Sequence, residues 1–429
     1  MSLKPTGLFA ETIPRSLLPK STNRSIAEAM RRLQHQDATK KNYGMYGFGK
    51  WIHHPDQVKT FLSGRLYEVT PVTAEFAPSL ECDMGCPRCT YQEQRLLTAE
   101  ERGRRLMDVK LAAHILDEFK AANLRGVIFS GGGEPFTHPE IIPMMRRTKS
   151  LGMQIGVFSN GTHLTKEDAI ILLTELEVVF LRISLYLDKP AHLPKVLELL
   201  KFIAKVKHET KSPTAVGLGL LVNPRTSDSL ATIGDLFQEI MMDGTRQVGQ
   251  LDSAAFRPEV CYPWYDGTQR EQYPQALFDE FIRNFEYHIV PDSQFLPNFR
   301  PLAIEERFRD INHRQQKQFG LCTANPWRIS VGYDGGVHLC TEHNGNPFFR
   351  IGDFSTQSFR EIWHGQRRRE VLWELNHGAF QKRCPPICVK TYDNKMFWDI
   401  LALNQRQLEA FLTELVILQK GTHPAHNFP

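Results

Sequence analysis

The chain has 429 residues, 41% hydrophobic and 23% charged, which is typical of a globular protein large enough for two or three domains. Its 52 lysines and arginines nearly balance 48 aspartates and glutamates, so charge gives no reason to expect a nucleic-acid partner. No run of 18 apolar residues is present, and the N-terminus lacks the apolar core of a signal peptide, so we expect no membrane association.

Residues 1 to about 70 form a polar N-terminal extension, with one predicted helix at Ser25–Leu33 and aromatic-rich turns near Tyr43. This extension is either a packing segment that covers the edge of the next domain or an arm for substrate recognition or dimerisation. We favour packing, because no motif in the extension points to the second role.

From Thr73 to about Pro258 the sequence alternates strand-like and helix-like segments, which predicts a parallel α/β sheet. Apolar residues at helical spacing predict helices at Asp108–Ala122 and His138–Ser150. The predicted strands are Thr73–Leu80, Val127–Ser130, Gln154–Phe158, Val178–Tyr186, Thr214–Asn223 and Arg246–Arg257.

Three cysteines, Cys82, Cys86 and Cys89, follow the first predicted strand in one short segment. Such a loop can direct three thiolates to a common point and leave a fourth coordination position without a protein ligand. Four close cysteines would suit a structural zinc or a plain electron carrier, whereas three suit an iron–sulfur cluster that keeps one iron free. A zinc site and chance spacing are the alternatives.

The second predicted strand runs into a glycine-rich loop made of Ser130, Gly131, Gly132, Gly133, Glu134 and Pro135. Glycines let a backbone approach a ligand closely, and Glu134 offers a carboxylate to an ammonium group. Together, the CxxxCxxC spacing of the cysteines and the GGGEP loop resemble the motifs of the radical S-adenosylmethionine (radical SAM) superfamily.

The resemblance implies an α/β fold, a partial (βα)6 barrel of the TIM type, with ligand chemistry at the C-terminal ends of the strands. It implies that the three cysteines hold a [4Fe–4S] cluster whose open iron chelates the methionine part of S-adenosylmethionine. A reductant such as flavodoxin or ferredoxin then triggers formation of a 5′-deoxyadenosyl radical, which abstracts hydrogen from a substrate C–H bond. We expect the enzyme in the reducing cytoplasm, because eight cysteines in so long a chain do not make a disulfide scaffold.

The resemblance also implies that the glycine-rich loop, Asn160, Arg182 and Ser184 contact S-adenosylmethionine. Because Arg182 and Ser184 are two residues apart, strand alternation places both on one face, although each could instead be an outward-facing polar residue. One position departs from the family pattern. The residue before the third cysteine, usually aromatic and close to the adenine, is Arg88 here, with Tyr91 as a candidate substitute.

Beyond Pro258 the alternation stops and four more cysteines appear: Cys322, Cys340, Cys384 and Cys388. Val331–Cys340 predicts a β-hairpin with Asp-Gly-Gly as its turn, and Phe354–Asn376 predicts a helical stretch. The spacings resemble the twitch or SPASM-type α+β modules of this superfamily, which bind auxiliary [4Fe–4S] clusters. A full SPASM domain has seven cysteines and two clusters, so four cysteines imply one auxiliary cluster. A structural zinc is the alternative.

These patterns divide the chain into five predicted segments. They are the N-terminal extension (1–70), the partial barrel (71–260), a bridging region (261–310), the twitch/SPASM-like domain (311–395) and a C-terminal helix (396–429). Within the last segment, apolar residues at helical spacing from Trp398 to Leu418 indicate a role in packing only.

Cys261 belongs to neither cysteine set and follows the sixth predicted strand. It is either a small buried hydrophobe or a thiol that returns a hydrogen atom to a substrate radical. The second interpretation makes the protein an epimerase, for which we favour a ribosomally made peptide over a small molecule as substrate. The alternative is a dehydrogenase or epimerase of a sugar or aminocyclitol. A non-catalytic electron carrier is disfavoured by the complete GGGEP loop.

Overall fold

The computed structural model describes residues 54–63, 65–86, 105–186, 191–222, 253–258, 275–288, 322–379 and 390–401, with Cys89, Cys384 and a few other single positions. Several sequence predictions fall on other parts of the chain. The helix expected at Ser25–Leu33, most of the bridging region and most of the C-terminal helix lie outside the described residues. So do Arg88, Tyr91, Cys261 and Cys388.

In the described part of the chain, a nine-stranded sheet runs in the order β6-β5-β4-β3-β2-β1-β7-β8-β9. The strands are β1 Thr73–Phe76, β2 Gly126–Phe129, β3 Gln154–Ser159, β4 Phe180–Tyr186, β5 Ala215–Val222, β6 Ser253–Pro258, β7 Arg328–Val331, β8 Gly336–His338 and β9 Arg350–Asp353. Strands β1 to β7 pair in parallel, and β8 and β9 are antiparallel. The sheet is open, and its parallel strands β1 to β6 confirm the predicted partial barrel, with β7 added in parallel at β1.

The described residues contain nine α-helices, and the second to the fifth of them connect successive parallel strands from β1 to β5. The nine helices are α1 Pro55–Leu62, α2 Val109–Ala121, α3 Ile141–Ser150, α4 Lys166–Ile170, α5 Leu193–Thr210, α6 Gln275–His288, α7 Phe359–Trp363, α8 Gln366–Glu374 and α9 Thr391–Leu401. Local sequence sets their first residues: the Asp108 carboxylate accepts hydrogen bonds from two backbone amides at the start of α2, and Thr165 forms a capping box at α4. No helix in the described residues is long and apolar enough to cross a membrane.

The helix-covered face of the sheet holds the main core. Phe76 of β1 packs edge-on against Phe119 of α2 and Phe129 of β2. Phe119 also contacts Phe354, which directly follows β9. One continuous apolar cluster therefore joins the barrel strands to the C-terminal hairpin.

The inner face of the barrel is closed below the strand ends by a small aromatic cluster. The sheet register aligns Ile128, Gly156, Phe180 and Ala215 across β2 to β5. Phe428 is 2% exposed and packs edge-on against Phe180, with ring centroids 5.2 Å apart. A Cβ atom at Gly156 would lie 2.3 Å from the Phe180 ring, so this layer requires a glycine.

The predicted C-terminal hairpin is confirmed and extends the barrel sheet without a break. Val331 of β7 is the register partner of Phe76 in β1, and the turn contains Gly335 at a φ of 81°. The predicted helical stretch from Phe354 to Asn376 is instead divided. Ser358 caps α7 through a capping box, and α8 starts after Gly365, where a Cβ atom would lie 2.2 Å from the carbonyl oxygen of Glu361.

Candidate active site

The loops after β1 and β2 are joined by backbone hydrogen bonds. The sequence predicted β1 to continue to Leu80, but it ends at Phe76. Beyond it, the carbonyl oxygens of Ser79 and Glu81 accept from the amides of Gly133 and Glu134, both at 2.7 Å. A Cβ atom at Gly133 would lie 2.1 Å from the Glu81 carbonyl oxygen. The glycine therefore allows two backbones to meet where the cysteine loop begins.

The cysteine triad lies on this loop, with Cys82, Cys86 and Cys89 all half-buried. Burial raises the pKa of the Tyr186 hydroxyl well above its usual value, and all three thiols are close enough to add to the effect. Burial also raises the pKa of Cys82 to about 12, with Glu134 and Cys89 adding to the effect. A thiol in such surroundings keeps its proton until a metal ion replaces it.

Three thiols in one short segment fit an iron–sulfur cluster better than a cation held by carboxylates. Among the described residues, no three His, Cys, Asp or Glu side chains are grouped at metal-binding distances.

Glu134 lies at the centre of the site and is 3% exposed. Its carboxylate accepts hydrogen bonds from Ser159 Oγ at 2.7 Å, from the Phe136 amide at 3.3 Å and from the Asn160 amide at 2.6 Å. Burial raises its pKa to about 7, and these three donors oppose the rise. In this structure the carboxylate links the loops after β2 and β3, and its expected contact with an ammonium group stays a prediction.

Asn160 follows β3 and faces the cysteine loop. Its side-chain nitrogen donates to Asp83 Oδ1 at 3.1 Å and lies 3.7 Å from Cys82 Sγ. The Thr162 hydroxyl donates to the same Asp83 oxygen at 2.9 Å. The end of β3 and the cysteine loop are thus joined by side chains as well as through Glu134.

Arg182 and Ser184 share the inner face of β4. A Cβ atom at Gly219 of β5 would lie 3.5 Å from Arg182 Nε and 3.6 Å from Ser184 Oγ, so both side chains flank the same glycine. The Arg182 guanidinium lies over the ring of Phe158, 3.6 Å from its centroid. Both residues point into the barrel, and their contacts with S-adenosylmethionine stay predictions.

Ser130, at the end of β2, takes part in a polar contact between neighbouring strands. Its hydroxyl donates to Glu75 Oε1 at 3.2 Å, and Arg328 Nη1 lies 3.4 Å from Glu75 Oε2. Arg328 belongs to β7, so this contact connects the barrel to the C-terminal hairpin. A charge pair with both side chains about one-tenth exposed is well shielded from solvent, which favours a fixed arrangement of the three strands.

Three residues of the second cysteine set lie in the C-terminal part of the described structure. Cys322, Cys340 and Cys384 are half-buried, and the last two pack against the main core. Burial raises the pKa of Cys322, while hydrogen bonds from the backbone amides of Ala324 and Asn325 oppose the rise. Cys322 precedes the β7–β8 hairpin and Cys340 follows it, whereas Cys384 comes after α8, and a cluster shared by them stays a prediction.

The sequence reasoning missed Asp83, Ser159 and Tyr186. A signal existed for Tyr186, because it lies two residues beyond Ser184 on the same alternating face. Asp83 stands inside the cysteine motif, but nothing in the sequence says that it contacts the loop after β3. Ser159 reaches Glu134 only because β2 and β3 are adjacent in the sheet.

Two protein-family models match the chain. The radical SAM superfamily matches residues 77–210, which contain the cysteine triad and the GGGEP loop. The SPASM iron–sulfur cluster-binding domain matches residues 306–390, which contain the four later cysteines. A radical SAM domain implies a [4Fe–4S] cluster and S-adenosylmethionine, and a SPASM domain implies auxiliary iron–sulfur clusters.

Two curated proteins resemble parts of the chain. The tungsten-containing aldehyde ferredoxin oxidoreductase cofactor-modifying protein of Pyrococcus furiosus is 37% identical over 87 residues, which span 20% of this chain and 23% of that protein. The AdoMet-dependent heme synthase of Methanosarcina barkeri is 20% identical over 301 residues, which span 66% of this chain and 79% of that protein.

Solved structures agree on the fold. Streptococcus suis SuiB bound to its precursor peptide SuiA has a TM-score of 0.52 at 14% identity, covering 83% of this chain and 78% of that one. Native anSMEcpe with bound AdoMet has a TM-score of 0.51 at 15% identity, covering 82% and 100%. With both sets of motifs in the matched regions, the chain belongs to the radical SAM superfamily and carries a C-terminal SPASM domain.

Proposed function

We propose that this radical SAM enzyme is an epimerase that inverts an α-carbon in a ribosomally made peptide, converting an L-residue to its D-form. Cys82, Cys86 and Cys89 hold the [4Fe–4S] cluster, and the inner-face residues of β2 to β4 bind S-adenosylmethionine. When bound there and reduced, this cofactor supplies a 5′-deoxyadenosyl radical for hydrogen abstraction. The backbone hydrogen bonds that join the start of the cysteine loop to the GGGEP loop support the placement of the cluster.

In the barrel interior, Phe428 packs edge-on against Phe180. Gly217 and Gly219 of β5 are the register partners of Arg182 and Ser184, so two polar side chains lie beside two positions without a side chain. The substrate lies along these glycines, while Arg182 and Ser184 serve S-adenosylmethionine.

A peptide is favoured by the fold likeness to SuiB, whose structure contains a precursor peptide. Among the described strands, β6 stands at one end of the sheet, and we infer that an extended substrate chain lies along this side. At the same edge, the register pairs Gly217 with Ser253 and Gly219 with Ala255, all small residues.

One observation carries the choice of epimerisation. Strand β6 ends at Pro258, three residues before Cys261, at the same end of the parallel sheet as the cysteine loop that follows β1. Cys261 itself lies outside the described residues. As the donor, its S–H hydrogen moves to the substrate carbon radical, and the sulfur radical left behind regains one electron from the external reductant and one proton.

Product analysis in D2O tests this proposal. The enzyme is incubated with S-adenosylmethionine, reductant and a precursor peptide encoded beside its gene. An epimerase gives an unchanged skeleton that carries one solvent deuterium at the inverted carbon, because the thiol hydrogen exchanges with solvent. A product that has lost two hydrogens and gained no deuterium contradicts epimerisation.

The second candidate is a dehydrogenase of a sugar or aminocyclitol alcohol. The pairing of β7 with β1 favours it, because the hairpin flanked by Cys322 and Cys340 directly adjoins the strand that leads to the triad. From the four later cysteines we infer one auxiliary cluster, which in this case would accept the second electron of the oxidation.

A further inference from the structure

The side-chain amide of Asn160 has its orientation fixed by Thr162. Its Oδ1 accepts from the Thr162 backbone amide at 2.9 Å. A backbone N–H can only donate, so the oxygen must face Thr162 and the nitrogen must face away from it. Nδ2 then lies 3.1 Å from Asp83 Oδ1 and 3.7 Å from Cys82 Sγ.

Asp83, Asn160 and Thr162 form what we call the clasp between the cysteine loop and the loop after β3. Asp83 Oδ1 accepts from both Asn160 Nδ2 and Thr162 Oγ1. Asn160 and Thr162 are buried, and hydrogen bonds shielded from water are stronger than exposed ones. On the other side of the Asp83 carboxylate, His163 lies 3.7 Å and His192 4.0 Å from Oδ2.

The nitrogen of Asn160 thus contacts two groups of the cysteine loop, the Asp83 carboxylate and the Cys82 sulfur. Hydrogen bonds to ligand sulfurs are among the factors that set the reduction potential of an iron–sulfur cluster. A reduced cluster carries more negative charge on its sulfurs, so an N–H donor stabilises the reduced form more than the oxidised form. Residues that orient a metal ligand also affect how firmly the metal is held.

We propose that Asn160 is a positioning residue that donates an N–H···S hydrogen bond to Cys82, raises the reduction potential of the triad cluster, and retains that cluster through the clasp. This assigns the Asn160 side chain to the cluster rather than to S-adenosylmethionine. The inference rests on the proposed placement of the cluster on the cysteine triad.

Two variants of the full-length, cluster-loaded enzyme separate the sulfur contact from the clasp. Asn160→Ala removes both. The double variant Asp83→Asn with Asn160→Asp exchanges donor and acceptor, so the pair regains its hydrogen bond and its total charge while position 160 loses its N–H. The reduction potentials of the clusters are measured by redox titration followed by electron paramagnetic resonance. The triad cluster is the one whose signal changes when S-adenosylmethionine is added. The auxiliary signal serves as an internal control.

Both variants should lower the potential of the triad cluster and leave the auxiliary potential unchanged. Asn160→Ala should also release iron to a chelator about tenfold faster than the wild type, the lower end for loss of a ligand-orienting residue. The double variant should release it at the wild-type rate. An unchanged potential in Asn160→Ala overturns the sulfur contact, and equally fast iron loss from both variants overturns the clasp. A wild type without any signal that responds to S-adenosylmethionine would contradict the proposed cluster site instead.

Discussion

The backbone amide of Asn160 donates to Glu134 Oε2 at 2.6 Å, so the loop after β3 is hydrogen-bonded to the acid of the GGGEP loop. Glu134 in turn donates its own backbone N–H to the carbonyl oxygen of Glu81, one residue before the first cysteine. The loops after three neighbouring strands are therefore joined through one buried residue. A disturbance at Glu134 should reach the cysteine loop without any direct contact between Glu134 and a cysteine.

The first prediction concerns the triad. Changing Cys82, Cys86 and Cys89 together to Ala should remove about four irons per chain, the content of one [4Fe–4S] cluster. It should also abolish reductive cleavage of S-adenosylmethionine, measured as 5′-deoxyadenosine formed with dithionite. The matched control changes Cys322, Cys340, Cys384 and Cys388 to Ala and should still make 5′-deoxyadenosine. Product from the triad variant would show that the cluster site is elsewhere.

Burial of Glu134 predicts a pH effect on stability. Its pKa is about 7 in the folded chain against an ordinary value of 4.5, so between these values the folded state holds a proton that the unfolded state has lost. The contribution of Glu134 to stability is therefore complete below about pH 4.5 and disappears as the pH rises through about 7. The free energy of unfolding falls by roughly 3 kcal/mol over this range. Urea unfolding of the iron-free wild type and of Glu134→Gln measures it. A stability difference that does not change with pH would refute the prediction.

Gly133 should not accept a side chain. A Cβ atom there would lie 2.1 Å from the Glu81 carbonyl oxygen, and a backbone atom cannot move aside cheaply. We expect Gly133→Ala to lower the free energy of unfolding by about 3 kcal/mol, the upper end for overpacking, and to reduce iron binding at the triad. Gly85→Ala is the control. Its site is open but has a φ of 52°, so a loss of about 1 kcal/mol is expected from backbone strain alone.

Phe428 should contribute to stability through the lower layer of the barrel. Its buried ring packs on Phe180 and beside Ile128, so Phe428→Ala should leave a cavity and lower the free energy of unfolding by about 3 kcal/mol. Phe428→Leu fills most of that space and should lose clearly less. Equal unfolding midpoints for Phe428→Ala and the wild type would mean that this ring does not stabilise the layer.

The fold could largely be predicted from the sequence because its signals are local. Alternation and the Asp-Gly-Gly turn placed the parallel strands and the hairpin. The errors arose where distant segments meet. Strand β1 stops at Phe76 because Ser79 and Glu81 bond to the glycine loop, a contact between segments about fifty residues apart. The division of the predicted helix at Gly365 has a different cause, namely local packing that composition does not show.

The site could be predicted less completely than the fold. Motif spacing identified the cysteines, and period-two alternation placed Arg182 and Ser184 on one face. It could not show that the Glu134 carboxylate would meet the loop after β3, because that contact depends on the adjacency of β2 and β3. The partnership of Asp83 with Asn160 was hidden as well, because it joins the loops after β1 and β3, which β2 separates in the sheet.

The last prediction concerns Cys261, which belongs to neither cysteine set. If its thiol donates the hydrogen atom, Cys261→Ala should keep the iron content of the wild type, because no cluster uses this sulfur. The variant should still form 5′-deoxyadenosine in the presence of substrate, since hydrogen abstraction precedes the donation. It should lose the inverted product and its solvent deuterium, because the substrate radical has no donor on the opposite face.

Three single variants identify the sulfur that acts. Cys261→Ala, Cys384→Ala and Cys388→Ala are each scored for iron content, for 5′-deoxyadenosine and for deuterium in the product. Full deuterium uptake by Cys261→Ala would make this residue a small buried hydrophobe and would assign the hydrogen donation to another thiol. Loss of iron from Cys261→Ala would make it a cluster ligand, and the spare thiol would then be Cys384 or Cys388. Those two lie four residues apart around Pro385 and Pro386, so one can serve a cluster while the other remains free to donate.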